Sequence, residues 1–406
     1  MINLDINNYA NKDFKRFVDD NLHVDAKTLA LKWAGKEYHG IDVRFAITQV
    51  ACLEKIRNKL PEIYNNRDFL FARTLAAEQC TAQQIAMFHG SLFGPEDNVL
   101  DLTCGLGIDT LCIAHNGAKV TTIDIDQLNA QVAAVNFRCE PNITVLNDDS
   151  TQYIKSCDTQ HTAVFIDPAR RDQGGARVYG LRDCSPDVLG MLEDIKRIAP
   201  LLYIKMSPML DISQILNEMP YPVADIWVTS IDGDCKEIFA KVLLDKQLSD
   251  KSTTRLHAMT ITEGDVCEIS TSIDDSSSSP LITDPSITGK YLCAPDSAII
   301  KARLFAPLCD KFGLRKLAEN THLFVADKKP DSFAGRVFHV DNVVEFHSKE
   351  IKRIAAMKLK ANVAARNFPL TSTQLQQRLR IKDGGETYLF GATIQSNPYI
   401  IFCSKA

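Results

Sequence analysis

The run from Asn98 to Asp126, NVLDLTCGLGIDTLCIAHNGAKVTTIDID, constrains this chain more than any other stretch. Val99 and Leu100 end an apolar strand. Asp101, Gly105 and Gly107 form the turn into a helix, and Val120 to Ile123 make a second strand that closes on Asp124. This order opens a doubly wound α/β sheet, in which ligands lie across the carboxyl ends of parallel strands. Gly105 and Gly107 can take backbone angles closed to other residues and leave no Cβ between the main chain and a ligand. Asp124 stands where such folds place a carboxylate that accepts hydrogen bonds from a ribose diol.

A dinucleotide turn, G-x-G-x-x-G, also meets an acid about 20 residues later. Here Thr110 replaces the third glycine, and Asp101 precedes the turn, where it can meet the cationic amino-acid end of S-adenosylmethionine. The D-x-x-x-G-x-G pattern followed by VTTID therefore points to S-adenosylmethionine as the cofactor. A turn with no ligand explains the glycines but neither acid. Asp148 and Asp149 follow a third strand, Ile143 to Leu146. Asp149 has the better spacing for the adenine amino group, and either can also serve as a turn residue or helix cap.

A second motif, DPARR from Asp167 to Arg171, follows the strand Ala163 to Asp167. Methyl transfer needs the acceptor held in line with the methyl group, and positioning supplies much of the catalysis. Asp167 can accept a hydrogen bond from an exocyclic amine, and Pro168 stiffens the turn while keeping its carbonyl as a second acceptor. Arg170 and Arg171 can hold a phosphate or stack on a base. The competing account is a structural ion pair between Asp167 and an arginine. The Gly-rich loop that follows adds Arg177, Tyr179 and Arg182.

At 406 residues, about two or three domains are expected. Residues 1–93 read as a helical region, with a stretch LAAEQCTAQQIAMFHGSL whose Gln79, Thr81 and Gln83 are placed to cover a cofactor. Residues 94–247 read as the doubly wound domain, with further strands at Leu201 to Lys205, Ala224 to Ile231 and Glu237 to Leu244. Residues 248–335 hold a linker and an α+β module, and 336–406 a final α+β module. The polar stretch Asp245 to Pro285, with its run SIDDSSSSP, reads as a loop.

Composition is that of an ordinary globular protein, with 45% hydrophobic and 24% charged residues. There is no run long and apolar enough for a membrane span, and the opening lacks the order of a secretory signal, so a cytoplasmic protein is expected. The 12 cysteines form no C-x-x-C pair and no metal-ligand spacing, so reduced thiols and no metal are expected. The net charge of −5 argues against general adhesion to polyphosphate, but it is uneven. Residues 336–406 carry 11 Lys plus Arg and 5 Asp plus Glu, a balance of +6 that leaves −11 for the rest. Lys352, Arg353, Lys358, Lys360 and Arg366, read as one helical stretch, are candidates for contacting nucleic acid; a solvated helix face is the plainer account.

LDLTCGLGIDTLCIA, TTIDID and IDPAR resemble the motifs of class I S-adenosylmethionine-dependent methyltransferases, and the first is similar to the glycine turn of RNA cap guanine-N2 methyltransferases. AAEQCTAQQIA, IDPARRD, IKMSPMLDI, CAPDSAIIKARL and NFPLTSTQLQQRLRIKDGGETYLFG resemble bacterial methyltransferase-like proteins with a carboxyl-terminal THUMP-like domain. The resemblance implies a Rossmann-like α/β catalytic domain followed by ferredoxin-like and THUMP-like α+β modules, the latter typical of RNA-modifying enzymes.

The expected function is therefore methyl transfer from S-adenosylmethionine to a base nitrogen in RNA, either tRNA or rRNA, with a guanine exocyclic amine favoured. Ala169 and Arg170 stand where guanine-N2 and adenine-N6 enzymes carry Pro and an aromatic. Met206 and Ser207 occupy the segment where uracil-C5 enzymes need a nucleophilic cysteine, which argues against covalent catalysis. The alternatives are a small-molecule methyltransferase with an oligomerisation tail and a noncatalytic RNA-binding protein.

Overall fold

The computed structural model describes Tyr9 and residues 11–170, 181–247, 254–262 and 264–406, with the backbone alone at Arg170 and Asp183. The fold divides into two compact units, residues 1–223 with 240–249 and residues 224–239 with 250–406.

The first unit is built on parallel strands: β1 (Asn98–Asp101), β2 (Lys119–Asp124), β3 (Ile143–Asn147) and β4 (Ala163–Ile166). A short ladder of β5 (Ala169–Arg170) with β6 (Cys184–Ser185) precedes β7 (Leu201–Met206). The order β3-β2-β1-β4-β7, parallel at each of these pairings, reverses direction between β1 and β4. A reversal of this kind opens a crevice at the strands' carboxyl ends. The residues that follow β1 and β4 are therefore brought together. β4 and β7 are almost wholly apolar because both faces of the sheet are covered.

Ahead of β1, short helices pack Phe14, Phe17, Phe45 and Phe71 into a core that continues through Leu106, Ile108 and Phe137. The amino-terminal helices thus support the glycine turn from beneath. The expected single helix before β1 is two, Thr74–Gln79 and Gln83–Ser91. They are separated by Cys80, Thr81 and Ala82, with Cys80 extended at ψ 155°.

β8 (Val223–Ile231) and β9 (Asp234–Leu243), which lie mostly in the second unit, are followed there by β10 (Arg255–Thr262) and β11 (Asp265–Ser272). The expected loop at 245–285 therefore needs correction: β10 runs parallel to β8 and pairs antiparallel with β11. Burial of Leu256, Ala258, Met259 and Ile261 outweighs the polar average of the segment.

The chain continues through β12 (Tyr291–Pro295), β13 (Arg315–Ala318), β14 (Thr321–Ala326), β15 (Gly335–Glu345), β16 (Lys360–Arg366), β17 (Lys382–Ile394) and β18 (Asn397–Lys405). These form one sheet in the order β13-β14-β12-β15-β18-β17-β16. The basic stretch is also corrected. Lys352 and Arg353 lie on the helix Ser348–Ala356, Lys358 turns at φ 51°, and Lys360 and Arg366 bound strand β16. Parallel pairing of β16 with β17, with Ala361 fully buried, overrides the helical propensity of the Ala- and Lys-rich sequence.

Candidate active site

A cleft of about 690 Å³ opens at the carboxyl ends of β1, β2, β3 and β4, all within the first unit. Its floor is the glycine turn. Gly105 and Gly107 have φ of 56° and 76°, the left-handed region that disfavours side chains. The two glycines differ in what a side chain would meet. A Cβ on Gly107 would lie 2.4 Å from the Phe137 ring, whereas at Gly105 the nearest atom is the Thr103 carbonyl oxygen at 4.0 Å. Gly107 is required for packing, and Gly105 leaves the cleft open to a ligand.

Asp124, at the end of β2, lines the cleft and is 9% exposed. Its Oδ2 accepts from the Gly105 amide at 3.0 Å and its Oδ1 from the Asp126 amide at 2.8 Å. Burial pushes its carboxyl above the usual range against the pull of these amides. Asp149 also lines the cleft and caps the helix Ser150–Ser156, accepting from the Thr151 amide and hydroxyl at 2.8 and 2.6 Å. Those hydrogen bonds hold its carboxyl below the usual range.

Asp101 sits beneath the turn and is 2% exposed. Its Oδ1 accepts from the Thr103 amide at 3.0 Å, and its Oδ2 from the hydroxyls of Thr110 and Thr122 at 2.5 and 2.8 Å. Burial pushes its carboxyl up to about 6. The geometry makes Asp101 a brace that reaches the cleft through Thr103, which does line it.

Thr103 joins the two motifs. Its hydroxyl accepts from the Asp167 amide at 2.7 Å. Asp167 follows β4 with a side chain 43% exposed, and its Oδ2 accepts from Lys205 Nζ at 2.6 Å. Lys205 lies on β7 and is only 7% exposed; it also reaches Thr81 Oγ1 at 2.6 Å and Asp109 Oδ2 at 3.2 Å. Asp109 in turn meets His89 Nδ1 at 2.7 Å and accepts from Thr81 Oγ1 at 2.5 Å. Burial opposes its charge, but the Lys205 ammonium and His89 hold its carboxyl far below the usual range. Pro168 is half-buried beside this cluster in the chain.

Lys205, Asp109 and His89 are the polar residues that sequence reasoning missed. The available signal was a lysine inside the otherwise apolar strand LLYIKM, since buried lysines are almost always paired. Of the residues expected to cover the cofactor, Gln79 and Thr81 wall the cleft, whereas Gln83 accepts from the Glu62 amide at 3.3 Å. Across the cleft stand Ser185, Pro186, Asp187 and Asp194. The Arg170 side chain and all of Arg171, Arg177 and Tyr179 lie outside the described residues. Lys352, Arg353, Lys358, Lys360 and Arg366 are exposed in the second unit, with Arg353 paired to Glu350 at 2.7 Å. No cluster of metal-ligating side chains is found among the described residues. Nor is any of their helices long and apolar enough to cross a membrane.

S-adenosylmethionine fits this donor set: Asp124 could accept from a ribose diol and Asp149 from an adenine amine, while Gly105 leaves room for close passage across the strand ends. Replacing Asp124 with alanine is expected to weaken S-adenosylmethionine binding by about 1.5–3 kcal/mol through loss of charged hydrogen bonds. Calorimetry checks this; unchanged affinity in a folded variant removes Asp124 from the site.

Comparison with known proteins agrees with the fold. Residues 335–405 match the THUMP domain-like family model and residues 291–333 the model of a ferredoxin-like domain. The chain is 24% identical over 309 residues to an "uncharacterized S-adenosylmethionine-dependent methyltransferase" of Mycobacterium tuberculosis, covering 76% of this chain and 80% of that protein. A solved "putative methyltransferase" from Porphyromonas gingivalis W83 superposes with a TM-score of 0.83 at 24% identity, covering 100% of both chains. By fold and domain content, then, this chain is similar to S-adenosylmethionine-dependent methyltransferases and carries matches to ferredoxin-like and THUMP-like domains at its carboxyl end.

Proposed function

We propose that the protein transfers the methyl group of S-adenosylmethionine to a base nitrogen in RNA, with a guanine exocyclic amine the favoured acceptor. The observation that carries this reading is the Asp167 carboxylate, held by Thr103 and Lys205 in the same cleft as Asp124 and half exposed there. The cofactor supplies an electrophilic methyl on a cationic sulfur. Asp124, Asp149, Gly105 and Gly107 would hold it, with Asp101 acting through Thr103.

Among the described residues Asp167 Oδ1 has no protein hydrogen bond, so it is available to an N–H of the acceptor. A carboxylate that accepts one N–H turns the nitrogen lone pair toward the methyl group and favours loss of the second proton as the nitrogen acquires charge. Pro168 would fix the turn that presents Asp167, and Arg170 and Arg171 would engage phosphate or base. Asp187 and Asp194 on the facing wall suit an acceptor rich in hydrogen-bond donors.

RNA as the substrate is supported by the THUMP-like match and the +6 balance of residues 336–406. Incubation with labelled S-adenosylmethionine and total RNA from cells lacking the protein, followed by nucleoside analysis, tests polymer class and modified base together. Label in an N2-methylguanine nucleoside is expected; label confined to small molecules overturns the reading.

Reversing the charges of Lys352, Arg353, Lys358, Lys360 and Arg366 is expected to lower RNA affinity and to flatten its salt dependence by roughly 0.7–0.9 in log–log slope per lost phosphate contact. S-adenosylmethionine binding should stay unchanged. Filter binding at several salt concentrations measures the slope, and an unaltered slope returns these side chains to a solvated face.

A further inference from the structure

Lys205 is a buried cation with more than one possible purpose. Its ammonium stands between a buried carboxylate, Asp109, and a half-exposed one, Asp167. If charge balance within the core were its whole task, Asp109 with its 13% exposed side chain would be the closer partner. Instead Asp167 is nearer, 2.6 Å against 3.2 Å. Asp109 has further support from His89 at 2.7 Å and from Thr81, so it does not depend on Lys205 alone. The ionisable groups around Lys205 include Asp109 on helix Ile108–His115, Asp167 after β4, Cys80 between the two helices before β1, and His89 on helix Gln83–Ser91, bonded to Asp109.

We propose that Lys205 is a positioning residue: anchored by Asp109 and Thr81, it fixes Asp167 Oδ2 and thereby aims Oδ1 as an acceptor at the N–H of the incoming amine. The proposal rests on the reading that Asp167 contacts the acceptor. Thr103 fixes the backbone of Asp167 and Lys205 fixes its side chain, so the carboxylate is held at both ends. Without the second anchor, its side-chain torsions are free to rotate in the half-exposed pocket mouth.

Lys205→Met alone leaves Asp109 buried beside one fewer cation and risks unfolding. The informative variant is the double substitution Lys205→Met with Asp109→Asn, which removes both charges. It is expected to bind S-adenosylmethionine as the parent does while turnover on total RNA falls about 10–100-fold through misplacement of Asp167. Lys205→Arg, which keeps the charge and a donor beside Asp167, should recover part of the turnover.

Parental turnover in the double variant, or no recovery in Lys205→Arg, would overturn the proposal and leave Lys205 as a counter-ion to Asp109. The failure of the underlying reading looks different. In that case Asp167→Ala itself retains parental turnover, whereas the failure of the Lys205 proposal alone leaves Asp167→Ala impaired and the double variant active.

Discussion

Replacing Asp167 with alanine will lower turnover by about 10²–10⁴-fold while leaving S-adenosylmethionine affinity within about threefold of the parent. The split follows from the placement of the side chain. Asp124 and Asp149 are the proposed cofactor contacts, whereas Asp167 is held by Thr103 and Lys205. The substitution also spares the fold, because Lys205 keeps Asp109 and Thr81 as partners and no buried cation is left alone. Asp167→Asn should fall between the two, since an amide oxygen still accepts from an amine but without the charge. Single-turnover kinetics on RNA, beside calorimetry with the cofactor, measures both terms. Lost cofactor binding with unchanged turnover per bound cofactor would move Asp167 out of the acceptor role.

Between about pH 4 and pH 7, the parent will lose on the order of 3 kcal/mol of stability relative to an Asp101→Asn variant. The Asp101 carboxyl is buried and pushed up to about 6 in the folded protein, from an ordinary value of 3.8. The native state therefore binds the proton more tightly than the unfolded chain. That contribution is fully present below the unfolded value and is lost as pH rises through about 6. An asparagine at this site can accept from the Thr103 amide and donate to a threonine hydroxyl, so it keeps the brace without titrating. Hydrogen exchange of the amides in β1 and the helix Ile108–His115 follows the local stability; a flat difference between parent and variant would show that Asp101 titrates normally.

The glycine turn was legible in the sequence because backbone geometry demands particular residues there: Gly107 can be nothing larger beside Phe137. The acids at the ends of β2 and β4 were legible for a related reason, since a doubly wound sheet delivers strand ends to one crevice whatever lies between them. The cluster of Thr81, His89, Asp109 and Lys205 was not legible. Its members are drawn from distant positions, only the lysine in its apolar strand stands out locally, and the contact exists only once β7 lies beside β4. The misreadings in the second unit have a common origin. Residues 255–272 were obscured by their polar neighbours, and Lys360 to Arg366 by alanines that favour a helix in isolation but here fill a strand.

The hydroxyl of Thr103 has a consequence for altering what such a catalyst methylates. Because it carries the Asp167 amide on the same turn that lines the cleft, the two loops are pinned into one frame. Transplanting the Asp-Pro-Ala-Arg segment into a related scaffold without a hydroxyl at the equivalent of Thr103 would deliver the right letters on an unregistered loop. The transferable unit is the pair of turns.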